Sequence, residues 1–348
     1  MPETGLRDTR LTNVRFTGTG RGSVVPSSVA TNSGAPNGSL SKFQLLATRA
    51  PYYWRLLKSL PYGATRRLTR GKCRGYPQME PFLRNKYGLE IGGPSPIFYG
   101  NRLVPVYDRC RKMDNSNFSS QNIWNLPGRK SEPGFSFARQ YVAEASDLTQ
   151  IPDETYDFLL ASHVLEHVAN PLRALEEWKR VLIPEGAMLV IVPDRRGTFD
   201  HRRAPTCFEH MEEDFRSNTS EDDLSHLDEI LALHDIALDP GVGSRLQFQE
   251  RCRNNAAVRA MHHHVFVPEA LIRMFSHVQM RVLSVALERP SHIVVFAQRV
   301  DAADGDDAER KNLGFLGEDA EWRLHDPLGK ASRAVSAALK AKSARAGR

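Results

Sequence analysis

The sequence predicts an α/β domain built on a mostly parallel sheet that closes in an antiparallel hairpin. Three observations predict it. Short apolar runs at Leu89–Ile91, Leu103–Tyr107, Tyr141–Ala143, Tyr156–Ala161 and Met188–Val192 alternate with polar or helix-like stretches. An amphipathic segment from Asn170 to Leu182 separates the last two runs and gathers Leu172, Leu175, Trp178, Val181 and Leu182 on one face. Further on, Arg281–Leu287 and His292–Ala297 flank the turn Arg289-Pro290-Ser291 and read as a hairpin. Strand, helix, strand at this rhythm is the pattern of βαβ units.

In chain order, residues 1–40 are rich in Ser, Thr, Gly, Asn and Arg and too poor in apolar groups to offset the entropy of ordering. They read as a disordered basic segment. Residues 41–79 form a basic amphipathic arm in which Phe43, Leu46, Tyr53, Trp54 and Leu57 interleave with Lys42, Arg49, Arg55 and Lys58. The main domain is expected over 80–300. Within it, Asn170-Pro171 supplies a cap and a proline suited to the first helical position, and Pro184-Glu185-Gly186 a stop before the next strand. Residues 194–264 break the rhythm with polar, charged, histidine-rich sequence, including a helical acidic stretch from Glu221 to Leu233. This is too long for a simple loop and reads as an inserted lid after the fifth strand. Pro268–Val278 reads as a helix, and 301–348, acidic and then basic and Ala-rich, as a flexible tail.

The chain has 348 residues, 41% hydrophobic and 25% charged, with a formal net charge of +6. That composition excludes collagen-like, disulfide-scaffold and wholly disordered classes. No run approaches the ~18 uncharged apolar residues of a membrane-spanning helix. The charge is unevenly spread: +11 over residues 1–79, −6 over 80–298 and +1 over the remainder. Any attraction to nucleic acid or an anionic membrane surface therefore belongs to the N-terminal arm, not to the mildly acidic body. The arm could equally dock on its own domain, or serve as an organelle-targeting segment, being Arg- and Ser-rich and poor in acids. Cys73, Cys110, Cys207 and Cys252 lie far apart, with no CxxC pair. A reducing, cytoplasmic setting is the expectation, without a disulfide framework or a cysteine zinc site.

Five blocks carry chemistry. Glu90-Ile91-Gly92-Gly93-Pro94-Ser95 follows an apolar strand, where glycines at a strand-to-helix turn let backbone approach a ligand. Asp108 ends the next apolar run, placed to accept hydrogen bonds from a ribose diol, with Asp114 close enough to serve instead. Asp147-Leu148 sets an acid beside an apolar side chain, a pairing that suits an exocyclic amine on a flat purine. Tyr156–Val168 runs a strand through Ser162-His163 into Leu165-Glu166-His167, and Arg180–Pro193 runs a helix end through Pro184-Glu185-Gly186 into a strand.

In order and spacing these blocks resemble the class I S-adenosylmethionine-dependent methyltransferases, specifically a methyltransferase type 11-like core, over roughly residues 83–193 and again 266–298. Where the family has a third glycine in the first block, Ser95 stands here after Pro94. The resemblance implies a Rossmann-like three-layer sandwich and S-adenosyl-L-methionine as cofactor. It places Glu90, Gly92, Gly93 and Pro94 at the methionine and ribose, Asp108 (or Asp114) at the ribose hydroxyls, Asp147 and Leu148 at the adenine, and Ser162 and His163 near the methyl group.

Methyl transfer needs an aligned nucleophile and, for a hydroxyl, a proton acceptor. Seven of the twelve histidines fall between 201 and 264, and His201 beside Asp200 is the first choice of base. His262, His263 and His264 alternate in direction along the chain, so they do not form a metal-ligand set among themselves, and no metal is expected. Glu166 and His167 open a helix after the fourth strand, and His167 reads as packed against the sheet, not as catalytic. The expected acceptor is a small or glycan-like polar molecule methylated at a hydroxyl. RNA or protein methylation guided by the arm, or a catalytically silent binding module, are the alternatives.

Overall fold

The computed structural model describes residues 71–100, 102–120, 135–239 and 241–326. By its internal contacts the chain divides into two units, residues 1–50 and 51–348. The first unit, most of the basic arm and the end of the tail lie outside the described residues.

The sheet has seven strands: β1 (Tyr87–Ile91), β2 (Lys112–Asn117), β3 (Gln140–Val142), β4 (Tyr156–Ser162), β5 (Leu182–Pro193), β6 (Met280–Glu288) and β7 (His292–Arg299). Their order is β3-β2-β1-β4-β5-β7-β6, parallel throughout except that β7 runs antiparallel to both β5 and β6. The predicted mixed sheet with a terminal hairpin is therefore the fold.

The continuous apolar character of β4 and β5 follows from burial on both faces. Leu159, Ala161, Met188, Val190 and Val192 enter one core cluster, while Phe158, Leu160, Leu189 and Ile191 enter the other. The first cluster is covered by α2 (Pro171–Arg180) and α7 (Pro268–His277). Asn170 caps α2 by accepting from Arg173 N at 3.1 Å, and Trp178 is fully buried with its indole N–H donating to Ala145 O at 2.8 Å. Arg180, at the last turn of α2, donates to the carbonyls of Leu148 and Ile151 and to Glu177 and Asp153, tying the β3–β4 connection down.

The second face differs from the expectation. Among the described residues no α-helix stands between β1 and β2. Residues 95–100 and 102–107 instead run as a 3-10 turn (Pro96–Phe98) and an irregular stretch that sinks Phe98, Val104 and Val106 into the core beside α1 (Tyr76–Leu83). The apolar run Leu103–Tyr107 is thus a packing segment and not a strand. The second strand is the polar Lys112–Asn117, and two of its buried side chains find partners remote in sequence. Asp114 accepts from the hydroxyls of Tyr87 and Tyr156, and Asn115 is bonded to Gly93.

The insertion between β5 and α7 carries α3 (Phe208–Arg216), α4 (Leu227–Leu233), α5 (Arg245–Arg253) and α6 (Asn255–Val258). Of the expected helix from Glu221 only the later half forms. Ile230, Val242, Phe248, Cys252 and Met261 give the insertion a small core of its own. Two boundaries also need correction. Cys73, Tyr76 and Met79 are buried with the main core, so the domain begins before residue 80. The tail is folded as far as residue 326: α8 (Gly305–Gly314) packs on β6, where buried Asn312 accepts from Val282 N at 2.7 Å and donates to Met280 O at 2.9 Å, and Trp322 of α9 (Glu321–Leu324) joins the first cluster.

Candidate active site

The C-terminal ends of β1, β2, β3 and β4 form one edge, the side on which open α/β sheets bind ligands. At the end of β1, Gly92 has φ +77°, and a Cβ there would lie 2.5 Å from Val164 Cγ2. The β1 turn and the β4 turn are therefore in contact only because residue 92 is glycine. Gly93 is equally constrained, since a Cβ would lie 2.3 Å from the Glu90 carboxyl carbon. Glu90 is fully buried and accepts from Ser95 N at 2.9 Å and from the Tyr107 hydroxyl. Burial pushes its pKa up to about 7 against those two donors. The ends of β2 close the turn: Gly93 N–H donates to Asn115 Oδ1 at 3.1 Å, and Gly93 O accepts from Asn115 Nδ2 at 3.2 Å and Asn117 Nδ2 at 3.0 Å. Pro94 is exposed beside them.

At the end of β4, Ser162 is followed by His163 in the left-handed region, φ +56°, an uncommon conformation for a non-glycine residue. His163 N–H donates to Ile191 O at 2.8 Å. Its ring lies between Glu166, with Nδ1 to Oε1 at 3.3 Å, and His292, with Nε2 to Nδ1 at 3.0 Å. The Glu166 side chain is 1% exposed and the His163 side chain 37%. Neither Glu166 oxygen has another hydrogen bond. Burial opposes its charge, but the rings of His163, His167 and His262 hold it below the usual carboxylate range. Burial takes His292 down to about 3 and His167 down to about 4, so both rings are neutral near pH 7. His262 and Asp200 pair at 2.6 Å. Burial opposes both charges, yet each holds the other ionised, Asp200 down to about 2 and His262 raised.

Glu90, Gly92, Gly93, Pro94, Ser162 and His163 thus meet at one edge, as the sequence predicted. Other predicted residues do not join them. Asp108 lies at the opposite edge: Arg109 O and Arg111 N pair with Asn85 and Lys86, which precede β1. Asp114 is interior to β2 and occupied by tyrosine hydroxyls. The polar side chain at the end of β2 is Asn117. Asp147 is exposed and accepts from Thr149 N of its own turn at 3.2 Å, and Leu148 is a fully buried core residue. The acid that follows β3 is instead Glu144, paired with Arg259 at 2.6 Å and with Glu221 nearby. Asp200 and His201 part company, because Asp200 is buried against His262 and Arg203 while His201 Nε2 pairs with Asp235 at 3.0 Å. Glu166 was read as opening a helix; the signal for its role is an acid three residues past a histidine at a strand end.

Residues 105–190 match the family model described as a methyltransferase domain. Among curated proteins none matches. Solved structures similar to this chain include a SAM-dependent methyltransferase from Methanosarcina mazei, 15% identical over 65% of this chain and 98% of that one, TM-score 0.37. A SAM-dependent methyltransferase from Aquifex aeolicus is 14% identical over 71% of this chain and 98% of that one, TM-score 0.37. Residues 105–190, about a quarter of the chain, are thus similar to a methyltransferase domain, and they lie within the sheet of order β3-β2-β1-β4-β5-β7-β6.

Proposed function

We propose that the chain methylates a hydroxyl of a small, polar, glycan-like acceptor, with His163 as the proton acceptor and Glu166 as its orienting partner. The observation that supports this reading is the His163–Glu166 contact at 3.3 Å on the edge that carries the glycine turn. The residues there suit the cofactor. Gly92 lets the β1 and β4 turns meet, the Ser116 hydroxyl at the end of β2 is buried and unpartnered among the described residues, and acids stand at the ends of β1 and β3. Glu90, Gly92, Gly93, Asn117, Glu144 and Ser162 would hold it. When bound, S-adenosylmethionine supplies an electrophilic methyl carbon on a good leaving group.

The remaining work falls to the chain. A hydroxyl is a weak nucleophile until its proton is taken, and a carboxylate at His163 Nδ1 favours an Nε2 that accepts one once the acceptor hydroxyl takes the place of His292 Nδ1, 3.0 Å away. Buried Glu166 also fixes the ring, whose strained backbone sets it at the edge. The acceptor class rests on the polar insertion, in which Arg195, His201 and Arg202 follow β5 in sequence and His201 and Arg202 both pair with Asp235. Labelled-methyl transfer to polyhydroxylated acceptors tests the reading. His163→Ala is expected to lower turnover by about 10²–10⁴ while cofactor affinity by calorimetry stays within threefold. Unchanged turnover would remove His163 from the reaction, and transfer to RNA instead of small acceptors would replace the acceptor class.

A further inference from the structure

Three histidines outside the methyl-transfer site meet against Ala169 and Asn170. His210 comes from α3, His226 from the turn that precedes α4, and His264 from the stretch before α7. One ring nitrogen of each lies within 4.8 Å of the other two. His210 Nε2 and His226 Nε2 are 3.0 Å apart. Nitrogens that close either share a proton or direct both lone pairs at a common centre.

His264 is the informative member. It is 1% exposed, and its Nε2 lies 3.1 Å from Ala169 O. A carbonyl only accepts, so this nitrogen carries the proton and Nδ1 keeps its lone pair. That Nδ1 is buried and has no hydrogen-bond partner. Metal-bound histidines are oriented in this way, one ring N–H anchored to a carbonyl or carboxylate and the other nitrogen left as donor.

Asp214 stands one helical turn beyond His210 on α3. Its Oδ2 lies 3.5 Å from His210 Nε2 and 3.8 Å from His264 Nε2. Oδ1 accepts from Thr219 Oγ1 at 3.1 Å, whereas Oδ2 is buried without a partner. A buried ring nitrogen without a partner costs about 1–3 kcal/mol, and a cation among the three rings answers it.

We propose that His210, His226 and His264 bind one divalent first-row transition ion, with Zn²⁺ the best match. Three imidazole nitrogens are a donor set that zinc accepts, with the fourth position left to a small ligand. The ion ties α3, the turn before α4 and the segment before α7 to one another beside the N-terminus of α2. Glu166, His167 and His262 also gather closely, but His262 Nδ1 is taken by Asp200 at 2.6 Å and His167 Nδ1 by Met261 O at 3.1 Å.

The test uses the full chain, stripped of metal and titrated with Zn²⁺ and Co²⁺. One equivalent of Zn²⁺ should bind, raising the melting temperature, and Co²⁺ should give the intense visible d–d bands of a tetrahedral site. His226→Ala is expected to weaken Zn²⁺ binding by more than about 100-fold, and His277→Ala to leave it unchanged. His210→Asn, whose side chain is 39% exposed, serves if His226→Ala does not fold. Wild type binding less than a tenth of an equivalent would overturn the proposal. So would equal affinity in these ligand variants and wild type, or binding abolished by His262→Asn but kept in His226→Ala.

Discussion

Replacing Glu90 by glutamine should change how stability depends on pH more than it changes stability itself. Glu90 is fully buried at the end of β1, and its two donors, Ser95 N–H and the Tyr107 hydroxyl, do not offset the loss of water around its charge. Its pKa in the fold rises from 4.5 to about 7. At about 1.4 kcal/mol for each tenfold change in proton affinity, that is about 3 kcal/mol. The folded chain therefore holds a proton between about pH 4.5 and 7 that the unfolded chain releases. Stability must fall as pH rises through that window and level off above it. Glutamine keeps the shape and cannot ionise. Between about pH 5 and pH 8 the wild type should lose about 2.5 kcal/mol relative to Glu90→Gln, read from urea unfolding of both chains at each pH. A difference between the chains that stays constant within about 0.5 kcal/mol would show that Glu90 is ionised and well served in the fold, and would refute the reasoning from burial.

Gly92→Ala should cost about 2–4 kcal/mol, from the left-handed φ and the contact with Val164 together. Adding Val164→Ala should relieve only the contact, so in thermal unfolding the double variant should be less destabilised than the two singles combined by about 1 kcal/mol. Strict additivity would mean the two turns do not touch. Arg180→Met should cost about 2 kcal/mol by leaving the Ile151 carbonyl without its donor and the Leu148 carbonyl with Ile151 N–H alone. A loss below about 0.5 kcal/mol would place this guanidinium among the exposed ion pairs that contribute little.

What could be read in the sequence was whatever hydrophobic periodicity encodes. β4, β5 and α2 announce themselves because their buried faces are apolar. β2 does not: Lys112–Asn117 is polar, and its burial depends on tyrosine hydroxyls and a glycine backbone remote in sequence. Val104 and Val106 advertised a strand because they fill the layer a helix would otherwise cover. The glycine turn and Ser162-His163 were legible because they sit beside strands that were. Asp200 and His201 were misjudged as a pair because neighbours in a chain need not face the same way, and no spacing rule couples Asp200 to a histidine 62 positions on. The tail over 301–326 looked mobile for its charge, yet Asn312 and Trp322 dock it.

The two asparagines of β2 that grip Gly93 have a thermodynamic consequence. Both polar groups of the Gly93 backbone are satisfied by β2 side chains. The turn has thus already given up its conformational freedom when the strands pair. A ligand arriving at this edge meets a rigid rim and incurs little of the ordering entropy that a loose glycine loop would impose on binding. Affinity there should then respond to Asn115→Ala or Asn117→Ala mainly through the entropy of association, with the contact enthalpy nearly preserved.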